Sequence, residues 1–212
     1  MIKSIIFDAN GVIQGINRNE VVFGANRLRL HQVRYFIMAI TSEAHRIANK
    51  GIYKTKEETI QALAREFPGK ERQLREVYSG NWESFFRLYP RVRILLEELS
   101  EDYDLYLLSN MSFPEKEHFI NEPIYPLFKG TIFSCDAGLL KPDPAIYQLL
   151  MDKYGLKPEE TVFFDDSARN VEAARSLGIH AARVRAYNPD TRKMKEEIKK
   201  ARLKSSLYSD HL

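Results

Sequence analysis

A single cysteine, Cys135, stands in the 212 residues, so no internal disulfide can form. The fold must rest on its core, and a reducing compartment suits it. No apolar run approaches the ~20 residues that span a bilayer. The opening residues, MIKSIIFD, lack the apolar length of a signal peptide. These features point to a cytoplasmic protein that makes no membrane contact. Glycine and proline are sparse, at 10 and 9 residues, and there is no low-complexity tract or internal repeat. Charge of one sign is scarce too: the net is only +3. Residues 190–204 hold seven Lys/Arg against three Asp/Glu, so the remainder is close to neutral. A surface built for nucleic acid is therefore not expected.

What is present is ordinary core material. Hydrophobic residues make up 44% and aromatics 11%. The length fits one large domain, or a core carrying a small insertion. Residues 2–7 form a β-branched apolar run that predicts a buried strand, stopped at Asp8 and followed by the turn pair Asn10-Gly11. Residues 21–89 carry no strand signal. Leu63, Phe67, Leu74 and Val77 are apolar at helical spacing, and three or four helices are expected, broken near Lys50-Gly51 and Pro68-Gly69.

From Pro90 onward, strands at 104–108, 130–134, 161–164 and 181–184 alternate with helices at 92–99, 113–120, 144–154 and 168–177, the last closed by Gly178. That alternation predicts an α/β fold with a doubly wound parallel sheet. The helical stretch then becomes a small all-helical cap inserted after the first strand. The expected division is a core of residues 1–15 and 90–187, a cap of 16–89 and a basic tail helix in 188–212.

Ligands of open parallel sheets bind at the carboxyl ends of the strands. Three expected strands end there on polar residues: Asp8, Ser109-Asn110 and Asp165-Asp166. Lys141 lies in a loop after a fourth. Each alone has a plainer explanation: a strand-ending Asp can cap a helix, Ser-Asn favours turns, and a loop lysine is usually solvated. Four in order on one rim are more specific.

Phe7-Asp8-Ala9-Asn10-Gly11-Val12, Leu107-Leu108-Ser109-Asn110, Gly138-Leu139-Leu140-Lys141-Pro142-Asp143-Pro144 and Phe163-Phe164-Asp165-Asp166-Ser167 resemble, in order and spacing, the four motifs of the haloacid dehalogenase-like hydrolases. The resemblance covers residues 1–187. It implies a Mg²⁺-dependent phosphatase acting on a small phosphorylated metabolite, with Asp8 as the nucleophile that forms an aspartyl phosphate. Ser109, the Asn110 backbone N–H and Lys141 would bind the phosphoryl group, and Lys141 would also fix Asp8. Asp8, the Asn10 carbonyl and Asp166 would ligate Mg²⁺, while Asp165 would ligate directly or hold a metal-bound water.

The chain departs from the family's phosphatase pattern at Asn10, where most members carry the Asp that serves as general acid and base. An amide cannot exchange a proton near neutral pH, and such a loss typically costs ~10²–10⁴ in rate. Esters with good leaving groups should suffer less. Three explanations stay open: a natural member of low activity or with a purely ligand-binding role, an introduced substitution that traps the intermediate, or a proton donor elsewhere, with His45 and Glu43 as candidates. A haloacid dehalogenase is a further alternative, since those relatives also lack the second Asp. They use no metal, however, whereas Asp165-Asp166 suits a cation. Candidate specificity residues of the cap are Arg27, Arg29, His31, Arg34, Tyr35, His45 and Trp82, with Trp82 equally at home in a core. The tail lysines and arginines (Lys193, Lys195, Lys199, Lys200, Arg202, Lys204) suit a solvated helix over a core edge, or contact with an acidic partner or membrane surface.

Overall fold

The computed structural model describes residues 1–17, 19, 29–186 and 188–209. Seven strands are described: β1 (Ser4–Phe7), β2 (Gln14–Ile16), β3 (Phe86–Leu88), β4 (Asp104–Ser109), β5 (Phe128–Phe133), β6 (Thr161–Asp165) and β7 (His180–Arg183). Five of them form one sheet in the order β5-β4-β1-β6-β7, with every neighbouring pair parallel. β1 is central, so the chain first winds outward through β4 and β5, then returns past β1 to β6 and β7. The Asp8 rim is thus a point where the winding reverses, which is where open α/β sheets present ligand sites.

Period-two alternation explains why both faces are covered. Ile5, Phe7, Leu105, Leu107, Val162 and Phe164 pack on one side against Val92, Leu95 and Leu96 of the helix Pro90–Leu99. Ile6, Tyr106, Leu108, Ile132 and Phe163 pack on the other against Ile146, Tyr147 and Leu150 of the helix Pro144–Tyr154 and Ala174 of the helix Ala168–Ser176. The first face is extended by Met194, Ile198 and Ala201 of the long helix Thr191–Ser209, three residues at helical spacing that are all buried. The basic residues of that helix therefore decorate the outer side of an element that covers the core edge, and Lys195 pairs with Glu98.

Between β2 and β3 the helices Leu30–Ile40, Glu43–Asn49, Lys56–Glu66 and Glu71–Tyr78 surround a separate cluster of Tyr35, Phe36, Ile60, Leu63, Leu74, Val77, Tyr78, Trp82 and Phe85. Local signals set the boundaries. Ser42 accepts a hydrogen bond from the His45 backbone N–H, and Thr55 with Glu58 forms a reciprocal capping box. The breaks fall where expected, with Gly51 and Gly69 at positive φ.

One expectation fails: the stretch is not purely helical. Phe86–Leu88 is a strand, paired antiparallel with Gln14–Ile16. Three residues are too short to show alternation, and this pairing supplies the conformation that local sequence does not. Arg27 lies outside the described residues.

Leu63 is fully buried in the helical cluster. Leu63→Ala is expected to destabilise by ~2–5 kcal/mol, read from urea unfolding. A loss below ~1 kcal/mol would show that the cluster contributes little.

Candidate active site

Asp8 follows the last residue of β1 and remains in the sheet's hydrogen-bond pattern, its N–H donating to the Phe164 carbonyl at 2.9 Å. The side chain is buried beneath the rim. Its Oδ1 accepts from the Ala9 N–H at 2.8 Å and the Ser109 hydroxyl at 2.9 Å, and lies 2.8 Å from the Lys141 Nζ. All these contacts fall on one oxygen; among the described residues Oδ2 takes none.

Lys141 is buried and bridges two acids, with its Nζ donating to Asp165 Oδ2 at 2.6 Å. Asn110 fixes the lysine's backbone by a reciprocal pair: its amide nitrogen donates to the Lys141 carbonyl at 3.1 Å, and its amide oxygen accepts from the Lys141 N–H at 2.9 Å. The motif points to the Asn110 backbone N–H; its side chain has this second function, which the sequence does not reveal.

Asp165 and Asp166, adjacent in sequence, are placed differently. Asp165 is fully buried, and besides Lys141 it accepts from the Ser167 N–H at 2.8 Å and from the Asn170 amide at 3.0 Å on each oxygen. Asp166 is half-buried, and its backbone carbonyl accepts from Arg183 Nε at 2.9 Å. Asn170, also missed, carries one detectable signal: it is a polar residue in the first turn of the helix that leaves the Asp165-Asp166 rim.

Asp8, Asp165 and Asp166 each offer a carboxylate oxygen within 4.8 Å of the others. One ammonium faces three carboxylates, an imbalance expensive to bury without a further cation. The all-oxygen donor set suits a hard divalent ion. The titration behaviour agrees. Burial pushes the Asp8 carboxyl up to about 7, with Asp165 adding to the rise and Lys141 opposing it. Burial and neighbouring Asp165 also raise Asp166. For Lys141, burial favours the neutral amine, but Asp8 and Asp165 outweigh it and hold the proton on more firmly than usual.

The turn after Asp8 is shaped by the same cluster. Gly11 has φ +89°, and a Cβ there would lie 2.5 Å from Asp166 Oδ2. Glycine is required both for the left-handed conformation and for the close approach of this carboxylate. Asn10 is clamped: its amide oxygen accepts from Gln14 Nε2 at 2.9 Å, and its amide nitrogen points to Glu115 Oε1 at 3.5 Å.

Among the suggested cap residues, His45 reaches the core, with Nε2 3.8 Å from Glu115 Oε2. Burial lowers its imidazole pKa, partly offset by Glu115. Trp82 and Tyr35 are buried in the helical cluster, and Arg29, His31 and Arg34 are exposed. Glu43 is exposed and paired with Arg46. It is not brought to the site.

A family model for haloacid dehalogenase-like hydrolases matches residues 2–178. The chain belongs to this family. Among relatives, D-ribitol-5-phosphate phosphatase of Bacteroides thetaiotaomicron is 28% identical over 194 residues, covering 84% of this chain and 90% of that protein. A local likeness, 44% identity over 57 residues, links 27% of the chain to mouse acyl-CoA dehydrogenase family member 10, of which it spans only 5%.

In fold, the chain is similar to a haloacid dehalogenase family enzyme of Bacteroides thetaiotaomicron solved with magnesium and inorganic phosphate. The TM-score is 0.65 at 22% identity, over 89% of this chain and 96% of that one. It is also similar to L-2-haloacid dehalogenase of Xanthobacter autotrophicus with covalently bound chloropropionic acid. There the TM-score is 0.61 at 21% identity, over 87% of this chain and 78% of that one. The hydrolase fold is common to both chemistries, so the side chains have to distinguish them. Among the described residues no helix is long and apolar enough to cross a membrane.

Two outcomes are expected. Without a divalent cation, folded Asp8 holds its proton up to about pH 7, while the unfolded chain releases it near 3.8. Its contribution to stability is therefore present at low pH and lost as pH rises through that window. Asp8→Asn should flatten the fall in melting temperature between about pH 5 and about pH 7.5; equal slopes for both proteins would count against this. Gly11→Ala should displace Asp166 and weaken Mg²⁺ or Mn²⁺ binding ~10–100-fold by calorimetry. Unchanged affinity would remove Asp166 from the site.

Proposed function

We propose that this hydrolase is a Mg²⁺-dependent phosphomonoesterase acting on a small phosphorylated metabolite through an aspartyl phosphate on Asp8. One observation carries the reading: a buried carboxylate with one uncommitted oxygen sits where an ammonium, a hydroxyl and an acid cluster suited to a divalent cation converge. A carboxylate attacks an anionic phosphoryl group readily only when charge is neutralised around both partners.

The residues divide the work. Asp8 Oδ1 is held by Ser109 and Lys141, which leaves Oδ2 to attack phosphorus or face the cation. Lys141 neutralises charge at the reacting oxygens and is itself positioned by Asn110 and Asp165. The Ser109 hydroxyl lies beside the reacting carboxylate, where it can orient a phosphoryl oxygen. Asp8, Asp166 and the Asn10 carbonyl would hold Mg²⁺, with Asp165 as a supporting acid whose oxygens are already committed to Lys141, Ser167 and Asn170. When bound, the ion neutralises phosphoryl charge and aligns the ester.

The phosphatase relative supports a phosphorylated small molecule as substrate, its name being that of a sugar-alcohol phosphate hydrolase. The acid cluster, an oxygen donor set suited to a divalent cation, favours this reading over metal-free attack on a carbon–halogen bond. The domain division that goes with this function is a helical cap of residues 16–89, closing over the rim and choosing the leaving group.

The test is phosphate release from p-nitrophenyl phosphate, acetyl phosphate and a panel of sugar and polyol phosphates, with and without Mg²⁺. Release should require Mg²⁺ and fall at least ~10³-fold in Asp8→Ala, as expected when a covalent nucleophile is removed. Turnover that survives in Asp8→Ala, or is indifferent to chelator, would refute the proposal.

A further inference from the structure

The hydroxyl of Ser134 stands where three segments of the chain meet. β5 ends at Phe133, which pairs with Ser109 across the sheet, and Ser134 is the next residue. It begins the short helical turn Ser134–Ala137 but does not cap it. The residue is fully buried, and its hydroxyl oxygen accepts from the Met111 N–H at 2.9 Å. The hydroxyl proton has two acceptors within reach: the Asn49 carbonyl at 2.5 Å and the Met111 carbonyl at 3.3 Å. A hydroxyl donates only one proton, and the shorter contact takes it.

These partners belong to different parts of the molecule. Met111 continues the turn of Ser109 and Asn110, whose hydroxyl holds Asp8 and whose amide holds the Lys141 backbone. Asn49 ends the helix Glu43–Asn49, in the helical block between β2 and β3. The last carbonyls of a helix have no intrahelical donor, and here a core side chain supplies one. A single buried oxygen thus joins the block to residues 109–111, through Met111 N–H to Ser134 Oγ and Ser134 O–H to the Asn49 carbonyl.

We propose that Ser134 is a positioning residue that aligns residues 109–111 for the phosphoryl group only while the helical block is docked. The proposal rests on the phosphomonoesterase reading above and on the cap that goes with it. With the block docked, the proton goes to Asn49 and Oγ holds the Met111 N–H. With the block withdrawn, the Asn49 carbonyl is lost, and a buried hydroxyl does not stay without an acceptor. The Met111 carbonyl remains. An O–H···O bond settles near ~2.8 Å, so closing the 3.3 Å gap draws the Met111 peptide toward Ser134. Ser109 and Asn110 shift with it by roughly half an ångström, about the tolerance of a binding constellation. The docked state therefore grips phosphate, and the withdrawn state loosens its hold and favours release.

Gly51 offers an independent way to displace the block. It is buried at φ +75°, and a Cβ there would lie 2.0 Å from the Cys135 carbonyl, so Gly51→Ala drives the block off the core. The experiment measures the affinity for inorganic phosphate with Mg²⁺, by calorimetry, in wild type, Ser134→Ala, Gly51→Ala and the double variant. Each single change should weaken binding ~tenfold, within the usual range of coupling between two sites. The double variant should be no more than ~threefold weaker than either, because both break the same link. With p-nitrophenyl phosphate, KM should rise in Ser134→Ala while kcat holds, as when binding common to ground and transition states is lost. Additive losses, with the double variant ~100-fold weaker than wild type, would overturn the proposal. So would unchanged affinity in Ser134→Ala, or a fall in kcat with KM unchanged, which marks a structural disturbance of Asp8.

Should Ser134→Ala fail to fold, Ser134→Cys takes its place in the cycle, since a thiol keeps the shape but is a weak donor and acceptor. The same outcomes decide. If Asp8-dependent aryl turnover persists and the losses are additive, only this inference fails. If no Asp8-dependent turnover exists, the phosphomonoesterase reading fails and this inference falls with it.

Discussion

The Lys141 ammonium, buried between Asp8 at 2.8 Å and Asp165 at 2.6 Å, is the contact on which the rest of the rim depends. Two carboxylates at the ends of neighbouring parallel strands repel one another, and the strands β1 and β6 cannot be pulled apart to relieve them without breaking the sheet. A single fixed cation between them makes the arrangement tolerable. Asn110 therefore clamps the lysine's backbone from β4 with two hydrogen bonds. Three strands of the sheet thus converge on one lysine. The third carboxylate, Asp166, then exceeds what Lys141 can balance, and the remaining negative charge is the physical reason the site suits a divalent ion.

The sheet and its two covered faces were legible in the sequence because two periodicities are clean. Apolar strands end abruptly on polar residues, and the connecting segments repeat at helical spacing. Asp8, Ser109, Asp165 and Asp166 were legible for a related reason: polar side chains at the end of a buried strand have nowhere to go but the rim; Lys141, in a loop, was legible only through the motif around it. What local sequence could not show depends on distant partners. Phe86–Leu88 becomes a strand only because Gln14–Ile16 lies beside it. Asn110 and Asn170 look like ordinary turn and helix residues until Lys141 and Asp165 are brought against them. Glu115 reads as a capping glutamate. Its burial, and the approach of His45 from a helix far away in sequence, exist only in the folded chain.

The helical block and the sheet are joined by more than the chain crossing between them. The Asn49 carbonyl accepts from the Ser134 hydroxyl, Gly51 presses so close to the Cys135 carbonyl that a Cβ would lie 2.0 Å from it, and Lys54 stacks over the Phe113 ring at 4.5 Å. These contacts lie four to nine residues beyond His45 in sequence. They fix the helix Glu43–Asn49 against the core, with His45 3.8 Å from Glu115. An aromatic packing of Tyr78 and Trp82 behind His45 keeps its ring in a single orientation.

The sequence separation of the paired groups has a consequence for synthesis on the ribosome. Ser109 meets Asp8 across 101 residues, and Lys141 and Asp165 come later still. β1 is the first strand made, yet it gains its second neighbour only when β6 is made, after β4 and β5. A growing chain therefore carries Asp8 from the outset without the lysine and the acids that surround it when folded. Only when the stretch beyond Asp166 has left the exit tunnel can the cation pocket close. Until then, Asp8 stands without the partners that surround it in the folded chain.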